Sequence, residues 1–278
     1  EDLAAADDLI SEGYAIAMRH GLLTWGYQFA HVALTQVFER GNWDAWIDVT
    51  TELDAPGFYG AWRLIEQGQR DVLRGRVAEG RFKLAEATER AGTESSQAVA
   101  AIAGVEAVFA FATQDWAAVM PAIRRSWDML DMIDFAVPHA AAAAAGANAP
   151  DWVREAQAAF EGFGRRGRHM DGLRASMRTT LALLEGRWPD ARAAYLDARR
   201  DLTAADSRYF LALLDLGVGT RGQGHLPEAA EAMTAARDFF ASVGADHLAD
   251  AFVAALVPAT APEPTARTAD APAGVPSA

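Results

Sequence analysis

By residue type, the side chains of this sequence best suited to chemistry are aspartates. In Asp128-Met129-Leu130-Asp131-Met132-Ile133-Asp134 three carboxylates recur at every third position, so on a helix they spiral across one broad face. Such a face can hold magnesium against a pyrophosphate, as the aspartate-rich helices of prenyl-transfer enzymes do, but the oxygen cage needs a second acidic motif on a facing helix. No convincing second motif occurs, and a solvated helix end is the plainer expectation. An all-α prenyl-transfer enzyme using Asp128, Asp131 and Asp134 is the alternative reading of the chain.

Other chemistry fails on context. Gly217-Val218-Gly219-Thr220-Arg221-Gly222 matches the dinucleotide fingerprint by letter, yet that fingerprint works only between a strand and a helix, where helix amides receive the pyrophosphate. It reads instead as a glycine-rich turn between helices. Histidines fall at 20, 31, 139, 169, 225 and 247; none has Glu three residues before it and no His-Glu-x-x-His occurs, which excludes the helical di-iron and zincin spacings. His247 with Asp250 is the one near-helical pair, read as capping or surface. No serine sits in a Gly-x-Ser-x-Gly elbow. There is no cysteine, hence no thiol nucleophile and no Cys-zinc or iron–sulfur site. Only one lysine, Lys83, is present, and no Gly-Lys-Ser/Thr ends a glycine-rich turn. No catalytic, cofactor or metal residue is assigned, and the expectation is a non-enzyme. The remaining candidate is the basic run Arg165, Arg166 and Arg168, with Arg174 following, among Gly164, Gly167 and Gly172. Guanidinium forks suit carboxylate or phosphate, so the first three are assigned as partner-binding residues, against a plain solvated loop.

These residues must be carried by helices. Hydrophobic residues make up 51% of the 278, with a mean hydropathy of -0.03, enough for a core. The net charge of -13 disfavours a phosphate-gripping nucleic-acid surface. Apolar residues recur at three and four: Trp25, Phe29, Val32, Ala33 and Val37 share one stripe, as do Met177, Leu181 and Leu184. Pro138, Pro150, Pro189 and Pro227 suit first helical turns, where a missing N–H is harmless. The turns themselves repeat. Gly41-Asn42-Trp43-Asp44, Gly186-Arg187-Trp188-Pro189 and Gly224-His225-Leu226-Pro227 are versions of one pattern, with Gln114-Asp115-Trp116 a weaker copy and looser turns at Gly75 and Asn148. The spacing, roughly 37 residues, is that of a helix–turn–helix pair. Six pairs follow, over 25–53, 58–91, 97–132, 135–163, 170–202 and 207–243, with flanking helices near 3–20 and 245–256. Trp43, Trp116 and Trp188 plug the hairpins, whereas Trp25, Trp46, Trp62, Trp127 and Trp152 are left unsorted between core and groove. The fold class is therefore all-α, a right-handed α-solenoid of about six repeats in which each pair contacts mainly its neighbours.

The sequence opens Glu1-Asp2-Leu3-Ala4 with no basic-then-apolar leader, which reads as a cut inside a longer protein. The helical domain is expected over 1–256. Residues 257–278, rich in proline and poor in large apolar residues, are expected to be a disordered tail. The most apolar stretch, 135–153, is mostly alanine interrupted by Pro138, His139 and Asp151, too weak for a membrane span.

Three phrases, Ala15-Ile16-Ala17-Met18-Arg19-His20-Gly21-Leu22, Leu183-Leu184-Glu185-Gly186-Arg187-Trp188-Pro189-Asp190-Ala191 and Ala236-Arg237-Asp238-Phe239-Phe240-Ala241-Ser242-Val243-Gly244-Ala245, resemble tetratricopeptide-type repeats. In style they are similar to the C-terminal repeats of bacterial LuxR-type regulators and adenylate-cyclase-like proteins with a STAND-type ATPase. The resemblance covers 1–256. It implies a cytoplasmic sensor and protein-binding arm, with no cofactor, whose partner is a protein, a peptide or other domains of its own parent chain. No DNA-binding helix–turn–helix follows Leu256, which favours the cyclase-like branch.

Overall fold

The computed structural model describes residues 3–44, 57–91, 96–127, 133–162 and 164–256. Helices account for its regular structure: α1 (Leu3–Arg19), α2 (Leu23–Glu39), α3 (Gly57–Leu73), α4 (Val77–Ala91), α5 (Ser96–Ala112), α6 (Trp116–Ser126), α7 (Ile133–Ala147), α8 (Pro150–Gly162), α9 (Arg168–Leu184), α10 (Trp188–Ala204), α11 (Arg208–Arg221), α12 (Ala229–Ser242) and α13 (His247–Leu256). No strand occurs among the described residues. Residues 45–53, the expected second helix of the pair over 25–53, with Trp46 among them, and the tail 257–278 lie outside them.

One backbone device ends most of these helices. After α3, the Gly75 N–H bonds the Val72 carbonyl and the Arg76 N–H reaches back to the Asp71 carbonyl, the two bonds that close a helix through a left-handed residue. Gly75 supplies it at φ 81°. The same two bonds recur at Gly41, Gln114 and Gly186, with φ of 79°, 58° and 70°. Asn148 and Gly224 are left-handed too, so all six turn positions picked from the sequence carry this conformation. The turns at Gly75, Gln114, Asn148, Gly186 and Gly224 are only a few residues long, so the helices on either side fold back as hairpins: α3 on α4, α5 on α6, α7 on α8, α9 on α10 and α11 on α12.

Successive hairpins stack through their first helices, α3 on α5, α5 on α7, α7 on α9 and α9 on α11. The second helices lie outside, laced by ion pairs one hairpin apart: Arg124 with Glu155 (2.7 Å), Arg192 with Glu228 (2.7 Å) and Arg199 with Glu231 (2.8 Å). These are mostly exposed and contribute little each.

Contacts are not confined to neighbours, as a strictly modular stack requires. Helix α7 touches α5, α6, α8, α9, α11 and α13, and its run Ala140–Ala145 is buried on every face. Small side chains admit helices from all sides; a helix apolar all round belongs in a core. The alanine stretch is thus the centre of the molecule. The stack also curls until its ends meet. Phe38 and Trp43 pack on Tyr209, with ring centroids at 4.8 and 5.9 Å. Arg74 Nε donates to the Val243 carbonyl at 2.8 Å, and Phe252 of α13 packs against Phe111 and Trp116. The inner side is therefore filled by the chain's own helices rather than left as an open concave groove.

Two smaller expectations are corrected. Pro138 lies inside α7 rather than in its first turn, because the helix begins at Ile133, upstream of the start read from the apolar pattern. The fingerprint glycines lie in helix, not in a turn: Gly217 and Gly219 are buried in α11 and Gly222 caps it. A Cβ on Gly219 would lie 2.7 Å from the Met233 backbone, so the glycine permits the close crossing of α11 and α12.

Candidate functional site

Where α2, α3 and α5 meet, a cavity of about 400 Å³ opens between the hairpins. Its floor is apolar, from Val32, Ile65, Ala101, Val105 and Phe135. Its walls are not. Helix α2 turns Gln28, His31, Thr35 and Glu39 toward it, and α3 turns Trp62, Glu66 and Gln69; both sets follow the three-and-four spacing of a single helical face.

Glu66 and Gln69 are buried, at 6% and 2% exposure. Glu66 Oε2, Gln69 Nε2 and His31 Nδ1 have no hydrogen-bond partner in the protein. That is uncommon, since a buried polar atom left unpaired costs roughly 1–3 kcal/mol. Burial holds the Glu66 carboxyl above the usual carboxylate range, an effect that the Arg70 guanidinium and the Trp62 indole oppose. Burial likewise lowers Arg70 to about 10 and His31 to about 4, so the imidazole is neutral at ordinary pH. Its ring meets Trp62 edge-on at 4.0 Å. Arg70 is anchored by donating from Nε to the Glu66 carbonyl (3.1 Å) and from Nη1 to the Trp43 carbonyl (2.9 Å). At the far wall the Ser207 hydroxyl lies 3.4 Å from Glu39 and 2.8 Å from His169 Nδ1.

The sequence-picked arginines divide. Arg165 stands at the mouth of this cavity, on a loop whose backbone is held by Arg174, which donates to the Arg165 carbonyl at 2.7 Å. Arg166 and Arg168 are exposed beside it. Arg174 itself is buried over the Phe160 ring and fastens the loop rather than facing solvent. Asp128 and Asp131 lie outside the described residues, and Asp134 is in the first turn of α7. Asp250 accepts from Arg237 at 3.2 Å. Among the described residues no cluster of three His, Asp or Glu could hold a metal, and no helix is long and apolar enough to cross a membrane.

Of the unsorted tryptophans, Trp62 is the cavity wall, Trp25 is 62% exposed, and Trp127 and Trp152 pack on the core. Of the plugs, Trp43 is fully buried, whereas Trp188 is half-buried and stacks on His225 of the next hairpin's turn at 3.9 Å. No protein-family model, curated protein or solved structure matches the chain.

Proposed function

We propose that this chain is a non-enzymatic binding and sensing scaffold: a right-handed, tetratricopeptide-like stack of about six helix pairs, serving as a cytoplasmic arm of a larger bacterial signalling or transcriptional regulator. The observation that carries the reading is the cavity between α2, α3 and α5, where Glu66, Gln69 and His31 hold polar atoms that the fold leaves unpaired. Unpaired buried groups disfavour the fold unless something else uses them, and a binding partner is such a use. The partner is a protein or peptide segment, from another molecule or from the parent chain, entering past Arg165 with Arg166 and Arg168 alongside. No cofactor is required.

The test fills the cavity. Thr35, half-buried on the open wall, is replaced by Phe, and wild type and variant are screened by thermal shift against a mixed set of small molecules and short peptides. A ligand bound only by the folded state raises stability by about 2.7 kcal/mol at 100-fold its Kd. Compounds that stabilise wild type and not Thr35→Phe are expected. If no compound distinguishes the two proteins, the scaffold reading fails.

A further inference from the structure

The chemistry of the cavity goes further than its existence. Gln69 Nε2 is a donor and Glu66 Oε2 an acceptor, three residues apart on one face of α3, both closed within the cavity wall and reached by a ligand once the two side chains turn toward it. A ligand that satisfies both must present an acceptor and a donor next to each other. His31, neutral and packed against Trp62, adds a third uncharged contact point across the cavity.

Charge selects among such ligands. Glu39 and Glu66 line the cavity, with Arg165 at its mouth and Arg70 beside Glu66. Transferring an ion into a buried site is costly without a dedicated counter-charge, and the two unpaired atoms ask for opposite partners. A carboxylate has no donor for Glu66 Oε2, and an ammonium has no acceptor for the N–H of Gln69 Nε2. An uncharged group with a carbonyl and an N–H side by side meets neither objection.

Resting on the scaffold reading above, we propose that the α2–α3–α5 cavity is a carboxamide site, taking an uncharged amide group with its carbonyl on Gln69 and its N–H on Glu66. The amide belongs either to a small molecule or to an asparagine or glutamine side chain of a peptide; the recognition is the same.

The full chain is titrated with nicotinamide, and with the charged, similarly sized nicotinate and benzylamine, by saturation-transfer NMR up to about 10 mM, since so small a ligand binds weakly. Nicotinamide is expected to bind and both ions to fail. Gln69→Leu is expected to weaken nicotinamide at least tenfold while the Tm holds or rises, because the substitution removes an unpaired buried amide. Competition then names the source. A glutamine-bearing peptide that displaces nicotinamide at lower concentration than free propionamide assigns the site to a peptide, and the reverse order assigns it to a small molecule. Unchanged nicotinamide binding in Gln69→Leu overturns the proposal. So does tighter binding of either ion; if that binding is lost in Thr35→Phe, the scaffold reading survives and only the amide assignment falls. If nothing that binds is lost in Thr35→Phe, both fall.

Discussion

Acidification should destabilise this protein in part through His139, and the size of that part follows from its surroundings. The side chain is fully buried in α7. Its Nδ1 lies 2.9 Å from the Phe135 carbonyl and its Nε2 lies 2.9 Å from the Tyr209 hydroxyl. A carbonyl only accepts, so Nδ1 carries the proton and Nε2 accepts from the phenol. Burial raises the Tyr209 phenol far above its usual range, which keeps that donor protonated. Charging the ring would set two donors against each other in an apolar core, and burial accordingly lowers His139 from 6.5 to about 4. The unfolded chain therefore binds the proton first. Stability from this group is complete above pH 6.5 and is lost as the pH falls toward 4. The full gap is worth about 3.4 kcal/mol, and about 2 kcal/mol is already lost at pH 5. The assay is urea unfolding of wild type and His139→Gln at pH 7.5 and pH 5. His31 and His169, lowered in the same way, and Asp215, raised to about 6 and hence of opposite slope, are common to both proteins and cancel. Wild type should lose about 2 kcal/mol more than the variant between the two pH values. Equal losses would refute the assignment of a neutral, doubly bonded imidazole.

Three further outcomes can be checked. Trp43→Ala should cost roughly 3–5 kcal/mol in thermal or chemical unfolding, as for a fully buried aromatic, whereas Trp188→Ala should cost less than half of that because Trp188 is half-buried. Gly219→Val should destabilise by roughly 1–3 kcal/mol through contact with the Met233 backbone, seen as a lower urea midpoint. Truncation before Ser207 removes α11 to α13, which cover Phe38, Trp43 and Phe111; the remainder should lose cooperative unfolding and bind a hydrophobic dye. A soluble, cooperatively unfolding remainder would favour modular hairpins.

The hairpins were legible because each is local. A turn residue, the plug beside it and the helix start that follows lie within a few positions, and their recurrence near every 37 residues left a period to read. Closure was not legible. Arg74 meets Val243 across 169 residues, and such a contact has no period and no neighbouring cue. The cavity lay between these extremes. Glu66 and Gln69 occupy the same helical face as the buried Trp62 and Ile65, and polar residues set into an apolar stripe were a visible signal. What the spacing could not tell was whether partners awaited them inside the fold. Arg174 shows the other outcome: a charged residue picked with a loop that finds its carbonyl and its aromatic ring within the protein.

The meeting of the two ends bears on how such a chain can change in length. An open array gains or loses a unit freely, since each unit answers only to the one before and the one after. Here the turn after α3 must reach the end of α12, and Phe38 and Trp43 must reach Tyr209. One pair added between them would carry the last hairpin past its seat, and one removed would leave it short. The number of pairs is thus set by geometry, as the number of staves sets whether a barrel closes. Insertions in sequences sharing this architecture should collect in the loops between hairpins, such as the one bearing Arg165, rather than arrive as whole repeats.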